Sequence, residues 1–318
     1  MLDYQSIRVS PDGSMLALEI VDTAHSTRRD IFVYTLATGN LKQLTRNGTS
    51  GRPVWMPDGK RIVFRVADPA AKPLIRWYSQ PWDESEPPKV IEGTDGAEML
   101  EYPSKDGKYM AIVRGDSTMS ERIETNSDIY LAPIDSPALA KPFAATGIRE
   151  RMPRFSPNGK WLAYVGHEIP STSGGAPTAN GILYVRAVPG NGAVQKVSTT
   201  TGFMPMWSHD GTTLYFFETP VRFMAAHIKE SPTFTVTTIT EDFTRPPPGT
   251  GPANPGTLWT NDIYPDDGIT YLANATPPSI VTAAVPGRPG AAQSAADYVP
   301  HLIAIVNWLG REPTEKKQ

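Results

Sequence analysis

The chain has 318 residues, with 30 basic and 33 acidic side chains and a formal net charge of -3, a balance that carries no electrostatic footprint for nucleic acid or an anionic membrane. It has no cysteine, which excludes disulfides, thiolate chemistry and Cys-ligated zinc, and no apolar run approaches the ~20 residues of a membrane-spanning helix. Its 26 Gly and 32 Pro make up about 18% of the residues, above the ~12% of an average protein, and their spread along the chain points to many turns.

The N-terminal stretch MLDYQSIRVSPDG lacks a basic-then-apolar leader pattern and enters directly on a strand and a turn, as expected of a piece of a longer protein. Its SPDG, ending at Gly13, is the first of six related turns. MPDG ends at Gly59, SKDG at Gly107, SPNG at Gly159, SHDG at Gly211 and YPDDG at Gly268. Proline presets φ at the second turn position, Asp or Asn follows, and glycine takes the positive-φ position that closes the hairpin.

An apolar strand follows each glycine: LAL from Leu16, IVF from Ile62, MAI from Met110, LAY from Leu162, LYF from Leu214 and YLA from Tyr271. A third strand comes next: DIFVYTL (Asp30 on), LIRWYSQ (Leu74 on), DIYLAPI (Asp128 on), ILYVRAV (Ile182 on), RFMAAHI (Arg222 on) and HLIAIVNW (His301 on). Five copies add a fourth strand, starting near Leu41, Lys89, Lys141, Val194 and Phe234. Four antiparallel strands every ~40–50 residues is the pattern of a propeller blade. The expected fold is therefore all-β: a six-bladed β-propeller of four-stranded antiparallel blades, the last one incomplete. The chain reads as one domain, 1–318, with blades over 4–50, 51–99, 100–148, 149–200, 201–250 and 251–310 and a polar tail at 311–318.

The stretches RVSPDGSMLAL, DIFVYTLATGNLKQLT and PVWMPDGKRIVF resemble the repeat of the TolB-like β-propeller family. The second half, from MPRFSPNGKWLAYVG to RFMAAHI, is most similar to the C-terminal propeller region of bacterial TolB-like proteins associated with Ser/Thr kinases. The closing LIAIVNWLGR is similar to a terminal segment of the same group. The resemblance implies a sensor or protein-interaction module, with any catalysis in another domain and a periplasmic or extracytoplasmic setting. Departures are Asn158 in place of Asp, SKDG without its proline, and the insertion TRPPPGTGPANPG from Thr244 to Gly256.

No catalytic motif stands out. The kinase loops are absent, PGNGAVQ at Pro189 to Gln195 reads as a hairpin turn, and STSGG at Ser171 to Gly175 lacks the Gly-x-Ser-x-Gly spacing of a hydrolase nucleophile. No two of the five histidines have close metal-ligand spacing; His167 beside Glu168 is either a ligand pair on a loop or an ordinary polar loop contact. The acids Asp12, Asp58, Asp106, Asp210 and Asp267 serve turn formation, and neighbouring turns are expected to lie too far apart to share an ion. Trp55, Trp161, Trp207 and Trp308 are expected between blades. RWYSQPWDE, Arg76 to Glu84, is either core or edge packing or an exposed recognition surface.

Binding is expected at the mouth of the central channel, along the innermost strands: Arg8, Arg52, Glu101, Arg151, Arg154, Asn261 and Asp262, with Ser6, Met204 and Met206 nearby. The same groups equally serve as inter-blade salt bridges and solvated loops. The expected role is a non-catalytic module binding protein or peptide, or sensing a ligand, within a larger bacterial protein. No cofactor or metal, no nucleic acid and no membrane contact by this chain are expected. Two alternatives are a propeller hydrolase or lyase with a metal in its channel, and a structural propeller accompanying a peptidase or kinase domain outside this chain.

Overall fold

A computed structural model of the chain describes residues 2–22, 28–68, 75–95, 97–101, 103–115, 127–167, 181–219, 222–230, 233–244, 261–263 and 269–271. The expected turn at Gly268, the strand from His301, Trp259, Trp308, the polar tail and the proline-rich insertion beyond Thr244 lie outside the described residues.

Five four-stranded antiparallel sheets follow one another in chain order, each with its strands in sequence order. The first holds β1 (Leu2–Val9), β2 (Met15–Asp22), β3 (Arg28–Thr35) and β4 (Asn40–Gln43). The second holds β5 (Ser50–Trp55), β6 (Arg61–Ala67), β7 (Ile75–Pro81) and β8 (Lys89–Val90). β9 (Ala97–Leu100), β10 (Tyr109–Gly115), β11 (Ser127–Pro133) and β12 (Lys141–Ala144) form the third. The fourth comprises β13 (Arg149–Phe155), β14 (Trp161–His167), β15 (Ile182–Ala187) and β16 (Gln195–Lys196). The fifth comprises β17 (Phe203–Trp207), β18 (Thr213–Thr219), β19 (Arg222–Lys229) and β20 (Thr235–Thr244). A two-stranded pair, β21 (Asn261–Ile263) and β22 (Ile269–Tyr271), comes last. The described helical structure is one short 3₁₀ turn at Pro137–Leu139, and no helix among the described residues is long and apolar enough to cross a membrane.

Each sheet packs on the next: β5 on β1 to β3, β9 on β7, β13 on β10 and β11, and β17 on β13 to β15. β21 touches both β17 and β1, so the ring of first strands closes on itself. Apolar faces meet at each seam, as a twisted sheet with two buried faces requires. Trp55, Ile62 and Phe64 of the second sheet pack with Ala17, Ile31 and Val33 of the first. Trp207, Leu214 and Phe216 of the fifth pack with Val165, Leu183 and Val185 of the fourth.

The turns show why one phrase recurs. The buried Ser10 hydroxyl donates to Asp12 Oδ1 at 2.6 Å and accepts from the Met15 amide at 2.9 Å, while the Ser14 amide donates to Asp12 Oδ1 at 3.0 Å. These bonds hold the Asp12 carboxyl below the usual carboxylate range, the Ser10 hydroxyl contributing most. Ser104 with Asp106 and Ser208 with Asp210 repeat the arrangement. At the fourth turn Asn158 Oδ1 accepts from Ser156 Oγ at 2.8 Å and from the Lys160 amide at 3.0 Å. A single carbonyl oxygen is all the turn asks of that position, so the amide replaces the acid. The closing glycine, at φ 73° in Gly13 and 70° in Gly159, supplies the left-handed conformation that a Cβ disfavours.

Candidate functional site

The first strands carry a second repeated device, centred on proline. Pairing with the following strand slips between Gly51 and Val54, between Arg151 and Arg154, and between Phe203 and Met206. Inside each slip stand Arg52-Pro53, Met152-Pro153 and Met204-Pro205, whose first residues have φ of 54°, 55° and 54°. Proline has no N–H for a ladder bond and is tolerated on edge strands and at bulges. The bulge accommodates it and re-aims the residue before it. A non-glycine residue in this conformation costs about 1–3 kcal/mol, and such strain gathers at functional positions. Here it recurs in three blades on the strands that close the ring.

Around these bulges the blades are tied by polar locks. Glu19, buried on β2, accepts the Arg52 amide at 2.9 Å through Oε2, and its Oε1 pairs with Arg29 at 3.2 Å. A Cβ on Gly51 would stand 2.9 Å from Glu19 Oε1, which is why a glycine precedes Arg52. The Trp55 indole donates to the Arg8 carbonyl at 3.1 Å, and the Trp207 indole to the Arg154 carbonyl at the same distance. Trp77 makes the corresponding link from β7 to the Ala97 carbonyl at 2.9 Å and is wholly buried.

The expected channel residues therefore divide. Arg154 and Glu101 come together across the third and fourth blades, with Nη1 to Oε2 at 2.7 Å and Glu101 only 1% exposed. Arg8 is buried, with Nη1 donating to the Ile7 carbonyl at 3.0 Å. Arg52 is part-exposed at its bulge, and Arg151 is buried beside the next one. Asn261 and Asp262 lie on β21, between the first strands of the fifth and first blades. Ser6 is buried on β1, and the Met204 amide donates to the Met152 sulfur at 3.4 Å.

Two expectations change. His167 is the last residue of β14 and buried, not a loop ligand, and Glu168 lies outside the described residues. Adjacent turns are in contact: a Cβ on Gly159 would lie 3.7 Å from the Asp106 carboxyl. Among the described residues no three His, Asp or Glu side chains gather as a metal site. Of RWYSQPWDE, Trp77 is core, and Trp82 packs partly buried on the cluster between the first two blades.

Burial, aided by the Arg149 and Arg151 guanidinium groups, holds the His167 imidazole at about 4 against an ordinary 6.5. A depressed pKa adds stability that is whole above 6.5 and is lost as pH falls towards 4, because the unfolded chain takes up the proton first. The loss amounts to about 3 kcal/mol at most. His167→Gln should flatten the acid limb of a stability-against-pH curve measured by urea unfolding, and an unchanged limb would assign that limb to other groups.

Glu19 and Glu150 are buried polar residues that reading the chain missed, whereas His167 was noticed but placed on a loop. Glu19 did leave a signal, a lone acid inside the apolar run LALEIV.

Sheets of antiparallel strands arranged in a closed ring, with strained residues on the innermost strands, define a β-propeller. Its repeats are TolB-like: over 177 residues, 55% of this chain, it is 30% identical to the Tol-Pal system protein TolB of Wolinella succinogenes, covering 38% of that protein. The structure of TolB from Acinetobacter baumannii shares the fold with a TM-score of 0.54 and 19% identity, over 73% of this chain and 53% of that one. The β-propeller domain of the Trilobed protease from Pyrococcus furiosus, described as having an open velcro topology, aligns with a TM-score of 0.51 and 13% identity, over 86% and 92% of the two chains. No protein-family model matches the chain. The chain thus spans well under half of the curated TolB relative and about half of the TolB structure. A propeller fold occurs beside catalysis as well as without it, so fold by itself assigns no chemistry.

Proposed function

We propose that the chain is a non-catalytic propeller that binds a protein or peptide segment at the mouth of its channel, as part of a larger bacterial protein. The observation that carries this is the strained bulge repeated at Arg52, Met152 and Met204: three blades hold a costly backbone at the same place on the innermost strands. Similarity to a protein named for the Tol-Pal system supports the same reading. Arg52 is the contact residue, its guanidinium suited to a carboxylate on the partner. Arg8, Glu101, Arg151 and Arg154 hold the first strands in place around it, and Asn261 and Asp262 complete the mouth. An upstream kinase domain, as in the group that the second half resembles, belongs to the same proposal.

The test is a photo-crosslinking residue placed at Arg52 and, separately, at the exposed Lys141 on β12, in cells of the source bacterium. A defined protein adduct at position 52, absent at 141 and competed away by unlabelled propeller, is the expected result. Equal labelling at both positions would overturn it.

A further inference from the structure

Glu150 has no counterpart in the first seam. There, Asp30 at the start of the third strand accepts from Thr45 Oγ1 at 3.0 Å and from the Gly48 amide at 3.1 Å, and the facing first strand begins with Ser50. In the third blade the equivalent acid is Asp128, the residue at the Thr45 position is Ala145, and β13 brings Glu150 to the place of Ser50. Glu150 is wholly buried. Its Oε1 accepts from the Thr146 amide at 3.2 Å and from the Thr146 hydroxyl, while its carbonyl accepts from Ser127 Oγ at 3.0 Å. No donor reaches its Oε2 among the described residues, and its neighbour on β11 is the Asp128 carboxyl.

Two neighbouring carboxylates, Glu150 wholly buried and Asp128 half-buried, do not readily both ionise: their repulsion and the desolvation of Glu150 favour keeping a proton on one. We propose that Asp128 and Glu150 form an acid pair that shares one proton and so locks the third blade to the fourth. The proton sits between the two carboxyls, giving Oε2 the hydrogen bond that no other donor supplies. The lock weakens when rising pH removes it and leaves two charges in the seam.

The charged and titratable groups around the pair come from β10, β13, β14 and β15. Arg114 stands opposite Asp128 in register, with its guanidinium donating to the Gly93 carbonyl at 3.0 Å and lying over the Tyr130 ring. Arg149 and Arg151 flank Glu150 along β13, and strand alternation sends them to the other face, where they act on His167. From β14 and β15 come Tyr164, whose phenol is raised to about 12 by burial first and by Glu150 second, with Tyr184 and Arg186 beside it. Burial, followed by the Asp128 charge, raises the Glu150 carboxyl above its ordinary 4.5 against the opposing pull of Thr146.

The experiment compares the full chain with Glu150→Gln and Asp128→Asn by urea unfolding from about pH 5 to about pH 8. An acid whose folded pKa is raised contributes stability that is lost as pH rises. Relative to Glu150→Gln, the wild-type folding equilibrium should therefore fall by up to about tenfold per pH unit above the unfolded value, levelling off once the pair has ionised. Asp128→Asn should shift the same titration, and an infrared band of a protonated carboxyl should persist in wild type to higher pH than in Glu150→Gln. A wild-type-to-variant difference that is constant with pH, or a band lost at the same pH in both, would overturn the proposal. Should one variant fail to fold, the other variant and the wild-type spectrum decide.

Discussion

Trp77→Ala is expected to lower the stability of the propeller by about 3–5 kcal/mol, the range for removing a fully buried tryptophan. The indole is 0% exposed and belongs to the cluster of Val54, Val63, Leu100, Met110 and Ile112 that joins the second and third blades. Two losses combine: a cavity opens at the seam, and the Ala97 carbonyl loses its donor at 2.9 Å. Trp77→Phe separates them, since the smaller ring keeps most of the burial while stranding the carbonyl, at about 1–3 kcal/mol. Urea unfolding followed by tryptophan fluorescence and by circular dichroism reads both effects as a shift in midpoint with little change in slope. Trp82, part-buried on the preceding seam, should cost clearly less when truncated. Equal costs at 77 and 82 would mean that burial at the seam does not govern stability here.

Removing one member of the Glu101–Arg154 pair should be nearly as damaging. At 2.7 Å, with the two side chains 1% and 14% exposed, the pair has given up most of its water. Glu101→Ala leaves the guanidinium facing a site from which its counter-charge has gone, at about 3–5 kcal/mol. Replacing both residues by apolar ones, Glu101→Leu with Arg154→Met, should recover much of that loss because neither desolvation cost remains. A double-mutant cycle measured by chemical unfolding should give a coupling of about 0.5–3 kcal/mol, little changed by added salt since buried charges are weakly screened. Strict additivity would show that the two side chains act independently.

The site was legible in parts. Arg154 and Glu101 stood out as charged residues on first strands, but 53 residues separate them and no spacing rule pairs residues in different blades. Their contact depends on how far one blade is rotated against the next. His167 follows an apolar run and precedes a polar stretch, so its sequence context reads as a loop; the strand continues to it because Arg149 of β13 pairs with it, just beyond the pairing of Gly166 with Ile182 of β15. Glu150 sits in RERM among exposed-looking charges, and only the approach of β11 shows it to be buried.

The amino-acid sequence by itself determined the repeat, the strand order within each blade and the identity of the hairpin turns. Those features rest on local chemistry: a serine hydroxyl, an Asp or Asn oxygen and a left-handed glycine, all within five residues of one another. Tertiary structure alone decided which polar groups meet between blades, where proline bends the innermost strands, and that β21 lies between β17 and β1. Each of these depends on the packing of large side chains across a seam, where contacts join residues about fifty positions apart and the chain between them carries no record of the angle at which two sheets settle.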